Sequence, residues 1–265
     1  MVLAAGRGER MRPLTDTCPK PLLRVRGLPL MQWHLQALAH SGFGEVLVNT
    51  AWLGAQIEGY FGPQSSWNMR EQLSKNERTE LTSVQVNSRL RYSHEGQDFG
   101  GALETAGGIV RALPHLSEVF WVVAGDVFAP SFAFSPSAYQ AFAVSGMLAH
   151  IWLVPNPVHN PQGDFGLGPQ QANGLRLALN QAASPANGGS APRHTFSTIA
   201  LYRQAFFAAP HCSIPSGNPQ GQKAALAPLL RAAMERGLVS AELYTGPWTD
   251  VGTPERLAQL NEDSI

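Results

Sequence analysis

Lysine is scarce in this sequence: Lys20, Lys75 and Lys223 stand against sixteen arginines. Charged residues make up only 14%, nineteen of each sign, so the formal net charge is zero. Such a chain has no general attraction for nucleic acid or an anionic membrane, and any anion it binds must be met by a local group of cations. Cysteine is limited to Cys18 and Cys212, which form neither a disulfide framework nor a metal-ligand spacing. A reducing, cytoplasmic setting is the simpler expectation. No apolar run approaches the roughly 20 residues of a membrane span, and no basic-then-apolar leader opens the sequence. An apolar content of 44% excludes a disordered chain, and 265 residues suffice to bury a large core.

What is present begins at once. Met1 to Leu3 lead into Ala4, Ala5, Gly6, Arg7, Gly8, Glu9, Arg10, Met11 and Arg12, followed by Pro19-Lys20-Pro21. A short apolar run of this kind predicts a buried strand at the centre of a sheet. The turn after it carries no bulky side chains, so backbone N–H groups can approach a phosphate closely. Arg10, Arg12 and Lys20 add cationic donors, and the two prolines hold Lys20 in an extended segment. The stretch reads as a polyphosphate-binding loop. An ordinary strand-to-loop turn with solvated arginines is the alternative. A Walker P-loop would end in Gly-Lys-Ser/Thr, which is absent, and a dinucleotide fingerprint needs a third glycine where Met11 stands.

The rest of the chain alternates. Residues 29–41 carry Leu30, Trp33, Ala37 and Leu38 on one helical face, with Gly42 as a stop. Residues 45–49 predict a buried strand and 55–61 a short helix. Strand, helix, strand, helix at these lengths means βαβ units and an α/β chain with a mainly parallel central sheet. Residues 63–82 are polar and aperiodic and read as an exposed insertion, with a lid as the second option. A strand is expected over 84–92, the strongest one over 119–124, a helix over 136–144, and strands over 150–154 and 195–202. Residues 168–193 suggest a hairpin and a mobile loop. Residues 223–236 predict an amphipathic helix. Thr253 is a good N-cap, with Pro254 at the first position of a last helix.

Two aspartates interrupt this pattern. Gly125-Asp126 ends the strongest strand, where ligands sit in an open parallel sheet. Asp126 there can hold a divalent cation or merely cap a helix, and the cationic loop at the same sheet edge favours the cation. Asp250 precedes the last helix in the same isolated way. His150, His159 and His194 share no helical or zinc-type spacing with one another or with Asp164, so a zinc site is rejected.

Leu3-Ala4-Ala5-Gly6-x-Gly8-x-Arg10-Met11, Pro19-Lys20-Pro21, Gly125-Asp126 and Trp248-x-Asp250-Val251-Gly252-Thr253 together resemble the signature of the sugar-1-phosphate nucleotidyltransferases. The resemblance implies a Rossmann-like three-layer fold with a small sugar-binding lobe. A single domain over 1–265 would then divide into a nucleotide-binding half to about 130 and a sugar-binding half beyond. No hexapeptide repeats of a C-terminal β-helix are seen. Leu3, Ala4, Ala5, Gly6, Gly8, Glu9, Arg10 and Lys20 would hold the nucleoside triphosphate, with Arg10 and Lys20 catalytic and Asp126 and Asp250 binding Mg²⁺. The family segment contacting base and ribose falls on Glu95, Gly107 and Gly108, although extra residues separate Glu95 from Leu103, and Gly107-Gly108 also reads as a closely packed helix start. Ala124, Asp164 and Thr198 would face the sugar; many relatives carry asparagine where Ala124 stands. Arg203 or Arg193 could reach an acidic sugar substituent. The chain looks most like the N-acetylmuramate-1-phosphate uridylyltransferases of cell-wall recycling. The implied partners are UTP and N-acetylmuramate 1-phosphate, with no nucleic acid or membrane, and the implied assembly is a monomer or small homo-oligomer. A mannose-1-phosphate guanylyltransferase, another hexose-1-phosphate enzyme, or a catalytically silent nucleotide-sugar-binding protein are the alternatives.

Overall fold

A computed structural model describes residues 1–75, 78–171, 174–181 and 192–262. In chain order, β1 (Val2–Ala4) runs into the glycine loop, a short helix α1 (Leu14–Thr17) and a small hairpin of β2 (Arg24–Val25) and β3 (Leu28–Pro29). Then come α2 (Leu30–His40), β4 (Glu45–Thr50) and α3 (Gly54–Phe61). A long hairpin of β5 (Gln64–Lys75) and β6 (Arg78–His94) follows, with α4 (Glu95–Phe99) and α5 (Glu104–Ala112) after it. The chain continues through β7 (Val119–Ala124), β8 (Val127–Phe128), α6 (Pro136–Val144), β9 (Ala149–Val154), β10 (Phe165–Gln170) and β11 (Arg176–Leu179). It closes with β12 (Arg193–Arg203), α7 (Leu226–Glu235), β13 (Val239–Leu243), β14 (Thr249–Asp250) and α8 (Pro254–Glu262).

One ten-stranded sheet, ordered β10-β11-β13-β9-β12-β7-β1-β4-β6-β5, runs through both halves of the chain. Its centre is parallel, β7, β1, β4 and β6 pairing in one direction, and β12 joins β7 antiparallel. Apolar residues of α5 and α7 (Ile109, Val110, Leu230) pack on one face, and those of α2, α3 and α6 (Leu35, Leu38, Ile57, Phe142) on the other. The α/β, Rossmann-like three-layer expectation therefore holds. The chain switches direction beside β1, so the loop after β1 and the turn after β7 open at one sheet edge.

Two expectations change in detail, and a third is met as far as the described residues go. The 63–82 segment is no loose insertion: β5 pairs antiparallel with β6 in unbroken register from Gln64↔Arg89 to Lys75↔Arg78, lengthening the sheet at its edge. Such a ladder is held by backbone groups and needs no apolar period, which is why the polar sequence hid it. The 223–236 helix is shorter, Leu226–Glu235. In the 168–193 segment β10 and β11 form the hairpin, while residues 172, 173 and 182–191, part of the expected mobile loop, lie outside the described residues.

A third apolar cluster fixes the site's geometry. Met11 of the glycine loop, Leu23 and Val25, Leu30 of α2, Phe128 of β8 and Val251 pack together, with Leu257 and Leu260 of α8 against them. The loop is thereby tied to the ribbon in which β8 pairs with β14. His34 of α2, 1% exposed, donates its Nε2–H to the Val127 carbonyl at 2.8 Å. Burial pushes this imidazole from 6.5 down to about 4, so it is neutral in the folded protein at neutral pH. The unfolded chain takes up this proton near 6.5 and the folded chain only near 4. The stabilising effect is thus complete above pH 6.5 and lost as pH falls through 4, amounting to about 3 kcal/mol. Urea denaturation between pH 7 and pH 4 is expected to show a smaller loss of stability in His34→Gln than in the wild type. Equal slopes in the two proteins would mean that His34 is not the group responsible.

Candidate active site

Two cavities open at the carboxyl ends of β1 and β7. The first, about 390 Å³, is lined by Leu3, Ala4, Ala5, Gly6 and Gly8, by Glu9, Arg10 and Lys20, and by Asp126. Gly6 is exposed, and a Cβ built on it meets nothing within 4 Å, leaving its backbone open to a ligand. Gly8 has φ +68°, and a Cβ there would lie 3.1 Å from Thr15, so glycine is required for the turn. The loop's cations divide their tasks. Arg7 donates to the Thr15 carbonyl at 2.8 Å and to Asp16 at 3.0 Å, and stacks 3.6 Å above Trp52. Arg12 also pairs with Asp16, at 2.8 Å. Arg10 makes no ion pair among the described residues and stands exposed on the cavity wall. Lys20 is buried, with Nζ 2.6 Å from Asp126 Oδ2.

The second cavity, about 630 Å³, takes Ala124, Asp164 and Thr198 into its wall together with Phe165, Phe196, Leu230 and Arg231. Asp164 Oδ2 accepts the Phe196 N–H at 2.8 Å. Thr198 has φ +63° at a register shift in β12, a rare conformation for a β-branched residue. Glu104, φ +61°, lines both cavities. Strained backbone at a shared rim is a mark of a functional surface. Leu3, Ala124 and Asp126 also belong to both walls, so the cavities meet at Asp126.

Asp250 joins this edge through β14. Its register partner is Val127, and the Val251 N–H donates to the Asp126 carbonyl at 3.0 Å. The Asp250 carboxylate is held by Arg256 of α8 and by His159 at 2.9 Å, and it lines neither cavity. Among the described residues no group of three or more His, Cys, Asp or Glu is placed to hold a metal.

A family model described as nucleotidyl transferase matches residues 1–174. An N-acetylmuramate alpha-1-phosphate uridylyltransferase of Neisseria meningitidis is 42% identical over 263 residues, 98% of this chain and 95% of that protein. The chain belongs to the nucleotidyl transferase family. A UTP–glucose-1-phosphate uridylyltransferase of a Synechocystis species is 31% identical over 48% of this nucleotidyltransferase and 30% of its own length. The crystal structure of an apo UDP-glucose pyrophosphorylase superposes with a TM-score of 0.68 at 15% identity, covering 99% of this chain and 96% of that one, a likeness of fold.

Three expected nucleotide contacts of the nucleotidyltransferase sit behind the wall. Glu95 is fully buried, its Oε1 accepting Asn49 Nδ2–H and its Oε2 the Leu103 N–H, both at 2.7 Å. Burial raises its pKa, and the Leu103 and Asn49 hydrogen bonds oppose the rise. Gly108 packs onto this carboxylate, where a Cβ would lie 2.4 Å from Glu95 Oε1, and one on Gly107 would lie 2.6 Å from the Gln222 carbonyl. Both glycines lie inside α5, not at its N-terminus. Ala102, Glu104 and Thr105 line the cavity instead. The extra residues between Glu95 and Leu103 fold as α4 and turn the glutamate inward. Asn49 is a site residue that sequence reasoning missed. An amide closing an otherwise apolar strand was the available signal. His159, Arg256 and Arg231 gave none, because a basic residue on a loop or helix reads as solvated.

Replacing Glu95 with alanine leaves the Asn49 amide and the Leu103 N–H buried without acceptors, at about 1–3 kcal/mol each. Glu95→Ala is therefore expected to lower the urea midpoint markedly, whereas a residue that merely contacts the base would leave it near the wild-type value.

Proposed function

We propose that the protein transfers the uridylyl group of UTP to N-acetylmuramate 1-phosphate, releasing pyrophosphate, as a cytoplasmic step of cell-wall recycling. The observation that carries the chemistry is the meeting of two cavities at Asp126, beside Lys20. The nearly full-length similarity to a protein named for this substrate pair supports the choice of base and sugar. Apart from Gly252, the first cavity is lined by residues 3–126, and most of the second by residues 122–231. This division supports a nucleotide-binding half to about residue 130 and a sugar-binding half after it.

The attacking sugar phosphate is already an anion, so the reaction needs no general base. It needs charge neutralisation and alignment. Lys20 would face the α-phosphate at the junction, and exposed Arg10 the leaving β- and γ-phosphates. The open backbone at Gly6 leaves room for the triphosphate to lie against the loop. Asp250 of β14 and Asp126, in the turn just before its partner strand β8, offer oxygen donors of the kind an Mg²⁺ ion takes alongside substrate phosphates. Such an ion, when bound, neutralises phosphate charge.

Purified protein, given each of the four nucleoside triphosphates with N-acetylmuramate, N-acetylglucosamine and mannose 1-phosphates, is expected to release pyrophosphate fastest with UTP and N-acetylmuramate 1-phosphate. A preference for GTP with mannose 1-phosphate would overturn the substrate assignment. Asp126→Asn and Asp250→Asn are each expected to abolish magnesium-dependent turnover in a folded protein, and normal turnover in either removes that residue from the metal site. Lys20→Ala is expected to lower kcat by about 10²-fold or more, since its charge matters most as the transition state forms. A rise confined to the KM for UTP would make Lys20 a ground-state binder.

A further inference from the structure

The second cavity is largely apolar, and its ionisable lining is acidic with one exception. Glu104, Asp126 and Asp164 contribute carboxylates, and Arg231 of α7 is the one cation in that wall among the described residues. The two other arginines that sequence offered for an acidic substituent bond to backbone carbonyls outside the lining, although the buried Nε of Arg193 has no partner among the described residues. Arg203 donates to the carbonyls of Phe142, Ala143 and Met147, and Arg193 to the backbone carbonyl of Asp164. Neither lines the cavity.

Arg231 is positioned without being neutralised. Its guanidinium lies 5.3 Å from the centroid of the Phe165 ring, and its Nη1 donates to Asn180 Oδ1 at 2.5 Å. Asn180 is braced in turn by Nδ2–H to Glu235 at 3.2 Å. The amide orients the guanidinium and leaves its charge in place, because no carboxylate among the described residues lies within ion-pair distance of it. A planar fork held in this way by ring and amide presents its remaining N–H groups to a carboxylate in bidentate geometry.

Its place matters as much as its charge. Phe165 belongs to β10, which pairs with β12, and β12 pairs with β7, the strand that leads into the turn bearing Asp126. Two strand spacings, roughly 10 Å, therefore lie across the sheet between the phosphate-transfer end of the cavity and the strand under Arg231. We infer that Arg231 is the specificity-determining residue of the acceptor site and binds an acidic substituent on the far side of the sugar from its 1-phosphate. In N-acetylmuramate 1-phosphate this is the lactyl carboxylate, which N-acetylglucosamine 1-phosphate lacks. The assignment rests on the uridylyl-transfer reading above.

The test compares kcat/KM for these two acceptors at saturating UTP, in the wild type, Arg231→Leu, Arg231→Gln and Arg231→Lys. The wild type is expected to favour the acidic sugar. The ratio should fall about 10- to 100-fold in Arg231→Leu and Arg231→Gln, mostly through KM for the acidic acceptor, and recover in part in Arg231→Lys, as expected for loss of a charged hydrogen-bonded pair. Glutamine keeps the stem and an amide toward Asn180, so it separates loss of charge from loss of packing. A wild type that prefers the acidic sugar, with variants that keep its ratio or lose both acceptors equally, overturns the role of Arg231 and leaves the proposed function standing. A wild type that prefers the neutral sugar overturns both.

Discussion

The site depends on a buried chain of hydrogen bonds. The Ala4 N–H donates to Asn49 Oδ1 at 2.9 Å, Asn49 donates to Glu95, and Glu95 accepts the Leu103 N–H. Three segments far apart in sequence, around Ala4, Asn49 and Glu95–Leu103, are thereby joined at the edge where β1 and β4 end. None of these groups reaches water, so each must find its partner in the fold, and only one arrangement satisfies them all. Glycine at 108 is what allows the carboxylate to come so close to α5. The first cavity takes its shape from this joint, with Asn49 in its wall and the rim at Ala102, Glu104 and Thr105 anchored through Leu103.

Apolar packing performs the corresponding task on the other side. Met11, Phe128 and Val251 share one cluster, so the glycine loop, the turn after β7 and the ribbon bearing Asp250 are packed into one unit. That restraint lets a buried lysine and an aspartate 106 positions apart sit 2.6 Å from each other. An ion pair alone would not hold such flexible side chains in register.

The loop and the two aspartates stand out in the sequence because their signals are local. Glycine at 8 answers a left-handed backbone, and an aspartate straight after an apolar strand stands out against it. Other parts were hidden for physical reasons. Glu95 looks like a ligand contact in a linear motif, and only the turn made by α4 shows that it faces inward. Beyond the strand expected over 84–92, the β5–β6 hairpin is a backbone ladder in a polar stretch of sequence. Arg231 occupies a helical position where an arginine is ordinary, and its meaning comes from Phe165 and Asn180, which reach it only through the fold. The α/β order, by contrast, follows from alternating strand and helix lengths, which are written along the chain.

Asp126 belongs to the walls of both cavities, and that has a consequence for the order of events. A molecule seated on one side becomes part of the surface seen from the other. Any effect that an occupant of one chamber had on the other would by reciprocity run equally in both directions. Leu3, Glu104, Thr105, Ala124 and Asp126 form one stretch of wall with a chamber on either side, so a change at any of them is felt by both.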